Sequence, residues 1–461
     1  MSPAYEHKGV RLFLGDCLEL MRQLPAASVD SVVTDPPYGI RFMGKAWDGA
    51  DIEERAERRR SFESHAPDAG PNGGHKSMAA EAGTYELTPD AMRAFQDFSL
   101  EWAREAFRVL KPGGFLLSFS SARTYHRMAS GIEDAGFEIR DQIMWVFGSG
   151  FPKSRNLSKM DFAGTEAAAT WDGWGTALKP AHEPICMARK PMLTKKMTVA
   201  ENVLLYGTGA INIDACRIQT DDQLRSGAGA TWEAMHRHEG RGRDGEGSAD
   251  RVYEHSGGTD FRMPPGQRGG DSAGRFPANF IHDGSECVVA LFPAQAGAAA
   301  PVRKRTGEKF RNTFSTFTGD IDEAGSTFHG DSGSAARFFY CAKASRRDRN
   351  EGCEHMERKP LHWSSGEKNP GSFQSAGTDK TSENNHPTVK PTDLMAYLCK
   401  LVTPPGGVVL DPFMGSGSTG KACVRDGFQF TGFERDEAYL AISVARITHE
   451  HSLPRQQRMF A

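Results

Sequence analysis

A glycine fingerprint close to the end of the chain constrains the fold more than any other feature. The apolar run Val408-Val409-Leu410 reads as a strand. It feeds into Asp411-Pro412-Phe413-Met414-Gly415-Ser416-Gly417-Ser418-Thr419-Gly420, so a G-x-G-x-x-G pattern follows a strand and opens a helix. Acidic Glu434 lies 19 residues beyond the first glycine, at the end of the next strand. Such glycines let backbone approach a nucleotide-bearing cofactor, and the acidic residue suits ribose hydroxyls. Taken alone, the pattern serves nicotinamide enzymes, methyltransferases and purely structural turns alike. Chain length makes it informative. Of 461 residues only 27 follow Glu434, too few for the further strands of a doubly wound sheet, because each strand–helix–strand unit takes roughly 30 or more. The missing strands must come from the N-terminal half.

That half offers a second corner. Val29, Val32 and Val33 end in Thr34-Asp35-Pro36-Pro37-Tyr38-Gly39, a β-branched run stopped by two prolines and so a buried strand entering a rigid loop. The loop presents the Asp35 carboxylate, the Pro36 carbonyl and the Tyr38 ring together. Two acceptors beside an aromatic plate suit a flat ligand bearing an amino group, such as a nucleobase; a strand-end turn with a satisfied aspartate is the plainer alternative. If both halves build one sheet, the 411–420 and 35–38 loops meet at the strands' carboxyl ends, where such sheets bind ligands.

The rest of the chain reads as α/β. Val10 to Leu14 is a strand, and Gly15-Asp16-Cys17 turns it into a helix, Leu18 to Leu24. Asp16 at that turn suits a helix cap or a ligand. Residues 42–83 are polar and patternless, an insertion that reads as a mobile loop or a lid. Phe95, Phe98, Trp102 and Phe107 recur at helical spacing over residues 89–110, an aromatic stripe that reads as core, and Lys111-Pro112-Gly113-Gly114 stops the helix. A strand at Phe115 to Phe119, a helix at Ala122 to Ala135 and a strand near Ile139 to Val146 predict a mostly parallel sheet. Trp145 to Lys153 and Lys179 to Met192 complete it. Residues 193–385 are glycine-dense and loop-rich. The chain then resumes with His386-Pro387-Thr388-Val389-Lys390-Pro391, a helix over Thr392 to Val402, the fingerprint, a strand over Phe428 to Phe433 and a last helix over Tyr439 to Ile447.

Composition excludes several classes. A mean hydropathy of -0.52 and apolar runs far shorter than a bilayer argue against membrane spans, and an N-terminus without an apolar core makes the cytoplasm the expected location. Eight cysteines without a C-x-x-C pair point to reduced thiols and no metal cluster; Cys341, Cys353 and His355 have the wrong spacing for one. A net charge of -3 does not advertise nucleic-acid binding, but binding needs only a basic face. Arg303-Lys304-Arg305 and Lys343 with Arg346, Arg347 and Arg349 are the two local clusters. Each reads as a DNA-backbone contact or as plain solvated surface.

Asp35-Pro36-Pro37-Tyr38, the Phe413-Met414-Gly415-Ser416-Gly417 loop and the 386–391 segment, in that order, resemble the β-class DNA amino-methyltransferases, most of all the phage- and prophage-type adenine-N6 enzymes. The resemblance covers residues 8–192 and 386–461. It implies a Rossmann-like class I sheet, circularly permuted. Residues 1–192 would form the catalytic half and 386–461 the cofactor-binding half, with 193–385 as a target recognition domain. S-adenosylmethionine would lie against Asp16, Cys17, Asp35, Thr388, Lys390, Asp411, Phe413, Met414, Gly415, Ser416, Gly417, Ser418, Thr419 and Glu434. Asp35, Pro36, Pro37 and Tyr38 would be catalytic, and Arg303, Lys304, Arg305, Lys343, Arg346 and Arg347 would face duplex DNA. A homodimer and a cognate restriction endonuclease, or none, are the partners the family suggests. Cytosine-N4 methylation is the nearest rival, since it uses the same chemistry, though serine in place of Asp35 is its more usual mark. A nicotinamide oxidoreductase leaves the Asp35 loop unexplained, and a non-enzymatic DNA-binding protein on the same fold is the third reading.

Overall fold

Strand β3, Val29–Thr34, is buried at all six positions, as a β-branched run at the centre of a sheet must be. In the computed structural model the described residues are 2–39, 88–149, 154, 156–220, 274–294, 311–312, 315–316, 333–342, 345–360 and 381–454. They fall into two units, one of residues 1–216, 278–288 and 341–461 and one of residues 217–277 and 289–340. The insertion at 42–83 lies outside the described residues.

The first unit is built on one sheet. Its further strands are β1 (Tyr5–His7), β2 (Val10–Leu14), β4 (Leu110–Phe119), β5 (Glu138–Val146), β6 (His182–Arg189), β7 (Phe280–His282), β8 (Tyr340–Cys341), β9 (Val408–Asp411) and β10 (Gln429–Glu434). They run in the order β1-β2-β10-β9-β3-β4-β6-β5-β7-β8. The two C-terminal strands therefore sit between β2 and β3, all parallel: Phe430 pairs with Val10, Leu410 with Thr431, and Leu410 with Val32. The N-terminal half thus supplies the strands that flank the C-terminal pair. The far side departs from the mostly parallel expectation. Strand β6 is antiparallel to both β4 and β5, so it separates two strands that the alternating pattern would have paired. Strand β7, from the glycine-dense segment, then adds parallel to β5.

Helices cover both faces: α1 (Cys17–Arg22), α2 (Pro89–Val109), α3 (Tyr125–Asp134), α4 (Val199–Tyr206), α5 (Arg346–Asn350), α6 (Thr392–Val402), α7 (Ser418–Asp426) and α8 (Glu437–Ser452). Helix α2 starts at Thr88, whose side chain caps Ala91 N–H ahead of Pro89. Its buried Phe95, Trp102, Ala103 and Ala106 pack with Val29, Val32, Leu116, Leu410 and Phe433 from both halves of the chain; each large apolar side chain so buried contributes about 1.5–3 kcal/mol. The Lys-Pro-Gly-Gly stop is shifted: β4 begins directly at Leu110, and Lys111 reaches back to bind Asp30 at 2.6 Å. Asp30, itself buried, also accepts from Val408 N–H at 2.8 Å, which fixes the register of β3 against β9. Among the described residues no helix is long and apolar enough to cross a membrane. In the second unit, Ile218 and Arg275 form an antiparallel bridge, and the Arg275 and Arg337 guanidinium groups lie 4.2 and 4.5 Å from the Phe338 ring.

Candidate active site

Strands β3 and β9 end side by side, and a buried carboxylate ties their exits together. Asp411, the last residue of β9, accepts from Thr34 Oγ1 at 2.7 Å, Thr419 Oγ1 at 2.6 Å and Phe413 N–H at 3.1 Å. Burial pushes its pKa up to about 6 against the pull of these donors. The proline corner and the glycine corner are thereby held together. Between them lies a cavity of about 460 Å³ whose walls include Asp16, Cys17, Asp35, Pro37, Thr388, Lys390, Phe413, Gly415 and Glu434, within the size range of nucleotide sites.

The glycines divide the work. Gly415 has φ +53°, and a Cβ there would come within 2.8 Å of His386 Nε2. A Cβ on Gly417 would meet Ser443 Cβ at 2.7 Å, and one on Gly420 would meet Ile447 Cδ1 at 2.5 Å; both keep α7 close to α8. Only the first glycine borders the cavity. Glu434 closes the loop from the next strand, accepting from Gly415 N–H at 2.8 Å through one oxygen and from Asp436 N–H at 2.9 Å through the other. Burial pushes its pKa up to about 7. His386 stands edge-on to Tyr439 with ring centres 4.5 Å apart, and burial drives its imidazole down to about 3, so it is neutral near pH 7. At the opposite wall Asp16 caps α1 through Leu18 and Glu19 N–H, and burial raises the Cys17 thiol to about 12.

Asp35 sits in a cluster of four. Its Oδ1 accepts from Tyr38 OH at 2.7 Å and its Oδ2 from Lys390 Nζ at 2.7 Å. Glu183, the second residue of β6, accepts from the same two donors, Tyr38 OH at 3.2 Å and Lys390 Nζ at 3.1 Å. Burial would lower the Lys390 pKa, but the Asp35 and Glu183 charges outweigh it and hold it raised. Burial, then the two carboxylates, keep the Tyr38 hydroxyl protonated.

Comparison with known proteins bears on this arrangement. A family model described as DNA methylase, for N6 and N4 methyltransferases, matches residues 29–445, a span that takes in both corners and everything between. The chain belongs to this DNA methylase family. Among curated relatives it is 26% identical over 213 residues to the Type II methyltransferase M.HindIII of Haemophilus influenzae, covering 44% of this chain and 64% of that protein. It is 38% identical over 63 residues to the DNA adenine methyltransferase YhdJ of Escherichia coli, covering 14% of this chain and 21% of the relative. The chain thus spans less than two thirds of either. Among solved structures it is similar to the PvuII cytosine-N4-specific DNA methyltransferase (13% identity, TM-score 0.41, covering 100% and 93% of the two chains). It is also similar to a putative DNA modification methylase of Thermus thermophilus complexed with S-adenosyl-L-methionine (15% identity, TM-score 0.38, covering 96% and 95%).

In this member of the DNA methylase family the cavity gathers most of the residues read from sequence as cofactor contacts: Asp16, Cys17, Asp35, Thr388, Lys390, Asp411, Phe413, Met414, Gly415, Ser416, Ser418, Thr419 and Glu434. Pro36, Tyr38 and Gly417 do not line it. Tyr38 directs its hydroxyl to Asp35 and Glu183, and Lys390 binds both acids. Phe98, read as core, reaches the cavity wall from α2. Of the DNA-facing candidates, Arg303, Lys304, Arg305 and Lys343 lie outside the described residues, as does the side chain of Arg346. Arg347 has a side chain 84% exposed, with Nε 3.2 Å from Glu351. Glu183, Tyr439 and the buried Arg446 were not singled out by sequence. Arg446 donates to Ser416 O at 2.7 Å and Ser418 Oγ at 3.0 Å, holding the glycine loop from behind. Only an antiparallel β6 puts Glu183, near that strand's start, at the ligand edge.

Proposed function

We propose that the protein transfers a methyl group from S-adenosylmethionine to the exocyclic N6 of an adenine turned out of duplex DNA. The observation that carries this reading is the shared cavity: Asp35 and Pro37 from one half of the chain face the same space as Gly415, Ser416 and Glu434 from the other. Two loops that each hold one reactant would then hold them as neighbours, which removes much of the entropic barrier. S-adenosylmethionine supplies a methyl group activated by its positive sulfur. The residues present fit such a group: Glu434 and Asp16 offer carboxylates to hydroxyl and amine donors, Gly415 leaves room against His386, and Phe98, Phe413 and Phe433 add apolar wall.

The target nitrogen is a poor nucleophile because its lone pair is delocalised into the ring. A carboxylate accepting one of its N–H groups favours the pyramidal form, and the bond strengthens as positive charge develops, so Asp35 acts on the transition state more than on the ground state. Extruding the base costs a few kcal/mol, offset by stacking at the 35–38 corner and by phosphate contacts. Residues 193–385 carry target recognition in this reading, with Arg303, Lys304, Arg305, Lys343, Arg346 and Arg347 on the DNA backbone. A homodimer, and a cognate restriction endonuclease or none, belong to the same proposal. Asp35, and the adenine specificity in the name of the YhdJ relative, favour adenine over cytosine.

Incubation with unmethylated duplex DNA and methyl-labelled S-adenosylmethionine, followed by chromatography of the nucleosides, tests the reading. N6-methyladenine is the expected product. N4-methylcytosine would replace the substrate, and unlabelled DNA would overturn the function. Asp35→Ala is expected to slow transfer by at least about a hundredfold, roughly 2.7 kcal/mol of barrier, with cofactor affinity within about threefold of the parent.

A further inference from the structure

The cluster around Asp35 contains one more carboxylate than the transfer chemistry requires. Asp35 and Glu183 set two carboxyl groups against the single ammonium of Lys390, whose side chain is only 8% exposed; burial raises the Glu183 pKa, and the Lys390 charge pulls against it. Both donors that bind Asp35 also bind Glu183: Lys390 Nζ at 2.7 and 3.1 Å, Tyr38 OH at 2.7 and 3.2 Å. The two acids come from separate strands, β3 and the antiparallel β6, yet share the same pair of partners.

Taken with the proposed function, this sharing has a chemical consequence. An amino group arriving at Asp35 competes with a lysine and a tyrosine already bound there. A carboxylate that gives its charge wholly to an ammonium is a weak acceptor for a neutral N–H. With Glu183 present, Lys390 and Tyr38 lean toward a second acceptor, so neither donor is stranded in a buried site when Asp35 turns to the target. In its ionised form, which the Lys390 ammonium favours against burial, Glu183 adds negative charge to the cluster, which suits the positive charge passing from sulfur to nitrogen during transfer.

We propose that Glu183 is a positioning residue for methyl transfer: it takes over Lys390 and Tyr38 as Asp35 engages the amino group of the target base. No bond is made to Glu183 and no proton need reach it; its part is to remain a charged acceptor 3.1–3.2 Å from both donors. The inference rests on the transfer function proposed above and adds a residue to it.

The test compares Glu183→Gln with Glu183→Asp. Glutamine keeps the shape and one acceptor oxygen but loses the charge; aspartate keeps the charge but loses a methylene. A merely structural role ranks glutamine above aspartate, and the proposal ranks them the other way. Single-turnover transfer on duplex DNA is expected to fall at least tenfold in Glu183→Gln and at most about threefold in Glu183→Asp. Affinities for DNA and for S-adenosylhomocysteine should stay within about twofold in both, and thermal unfolding should confirm that both fold. Where Glu183→Gln does not fold, Glu183→Ala is read with small molecules added: formate is expected to restore single-turnover transfer at least fivefold and uncharged formamide is not; an equal response to both, or to neither, overturns the proposal. Transfer by Glu183→Gln within twofold of an active parent, or a Glu183→Asp variant slower than Glu183→Gln, overturns the positioning role and leaves the function standing. A parent that transfers no methyl group to DNA overturns both.

Discussion

Glu434 binds two backbone amides, yet burial raises its pKa to about 7, so the residue proposed to face a cofactor hydroxyl exchanges its proton close to neutral pH. A hydroxyl donates better to the ionised carboxylate, and binding therefore favours proton release. Affinity for S-adenosylhomocysteine is expected to rise between pH 5 and pH 7, by up to about tenfold per pH unit, the limit for one linked proton, and to level off by pH 8. Glu434→Gln should flatten that dependence. Calorimetric titration across this range checks it, and an affinity independent of pH in the parent would remove Glu434 from the cofactor. For stability the sign is opposite. The folded state binds more protons than the unfolded chain between the ordinary glutamate value and about 7, so this group's contribution is fully present at low pH and is lost as pH rises through 7. Glu434 was legible because strand, glycine loop and next strand follow each other locally. Glu183 was not, because its place depends on the direction of a strand that no local pattern specifies. Tyr38 was read as an aromatic plate, and only the coordinates show its hydroxyl committed to two carboxylates.

Short elements illustrate the same division. Helix α5, Arg346–Asn350, reads as a basic cluster, yet its acidic member is turned inward. Asp348 accepts from Thr392 N–H at 2.8 Å and Lys421 Nζ at 3.0 Å; the Lys421 and Arg446 charges hold it below the usual carboxylate range although burial alone would raise it. Arg349 donates to the backbone carbonyl of His386. This short helix within the loop-rich segment thus braces α6, α7 and α8, and through Arg446 the glycine loop itself. Charge counting along the sequence cannot see this, because it ignores which face of a five-residue helix is covered. Lys421 is fully buried between Asp348, Glu351 at 2.7 Å and Glu450 at 4.0 Å. Lys421→Met fills a similar volume but leaves those acids undercompensated, and breaking a buried pair from one side costs about 3–5 kcal/mol. Urea unfolding is expected to show a loss in that range. A loss below about 1 kcal/mol would mean that the acids take up protons in the variant instead of remaining charged.

At the scale of the whole chain, the exchanged order of the halves was legible in the order of the motifs, the Asp35 corner first and the glycine fingerprint last, and the sheet interleaves strands from both. The antiparallel β6 and the addition of β7 were not, since apolar runs of similar length pair in either direction and only tertiary packing selects one. The exchanged order has an energetic consequence. The N-terminal half leaves the facing edges of β2 and β3 without neighbours until β10 and β9 enter between them, and open parallel edges invite aggregation. Two fragments divided after residue 240, within a stretch outside the described residues, separate β1–β6 from β7–β10. Co-expressed, they are expected to co-purify, because β3–β9 and β2–β10 pair across the division and Trp102 of one fragment packs against Phe413 of the other with ring centres 5.8 Å apart. Expressed alone, the N-terminal fragment should be insoluble or bind no S-adenosylhomocysteine, since Glu434 and the glycine loop are on the other piece. A soluble N-terminal fragment that binds this ligand by itself would show that the cavity does not need both halves, and the shared site on which the function rests would fall with it.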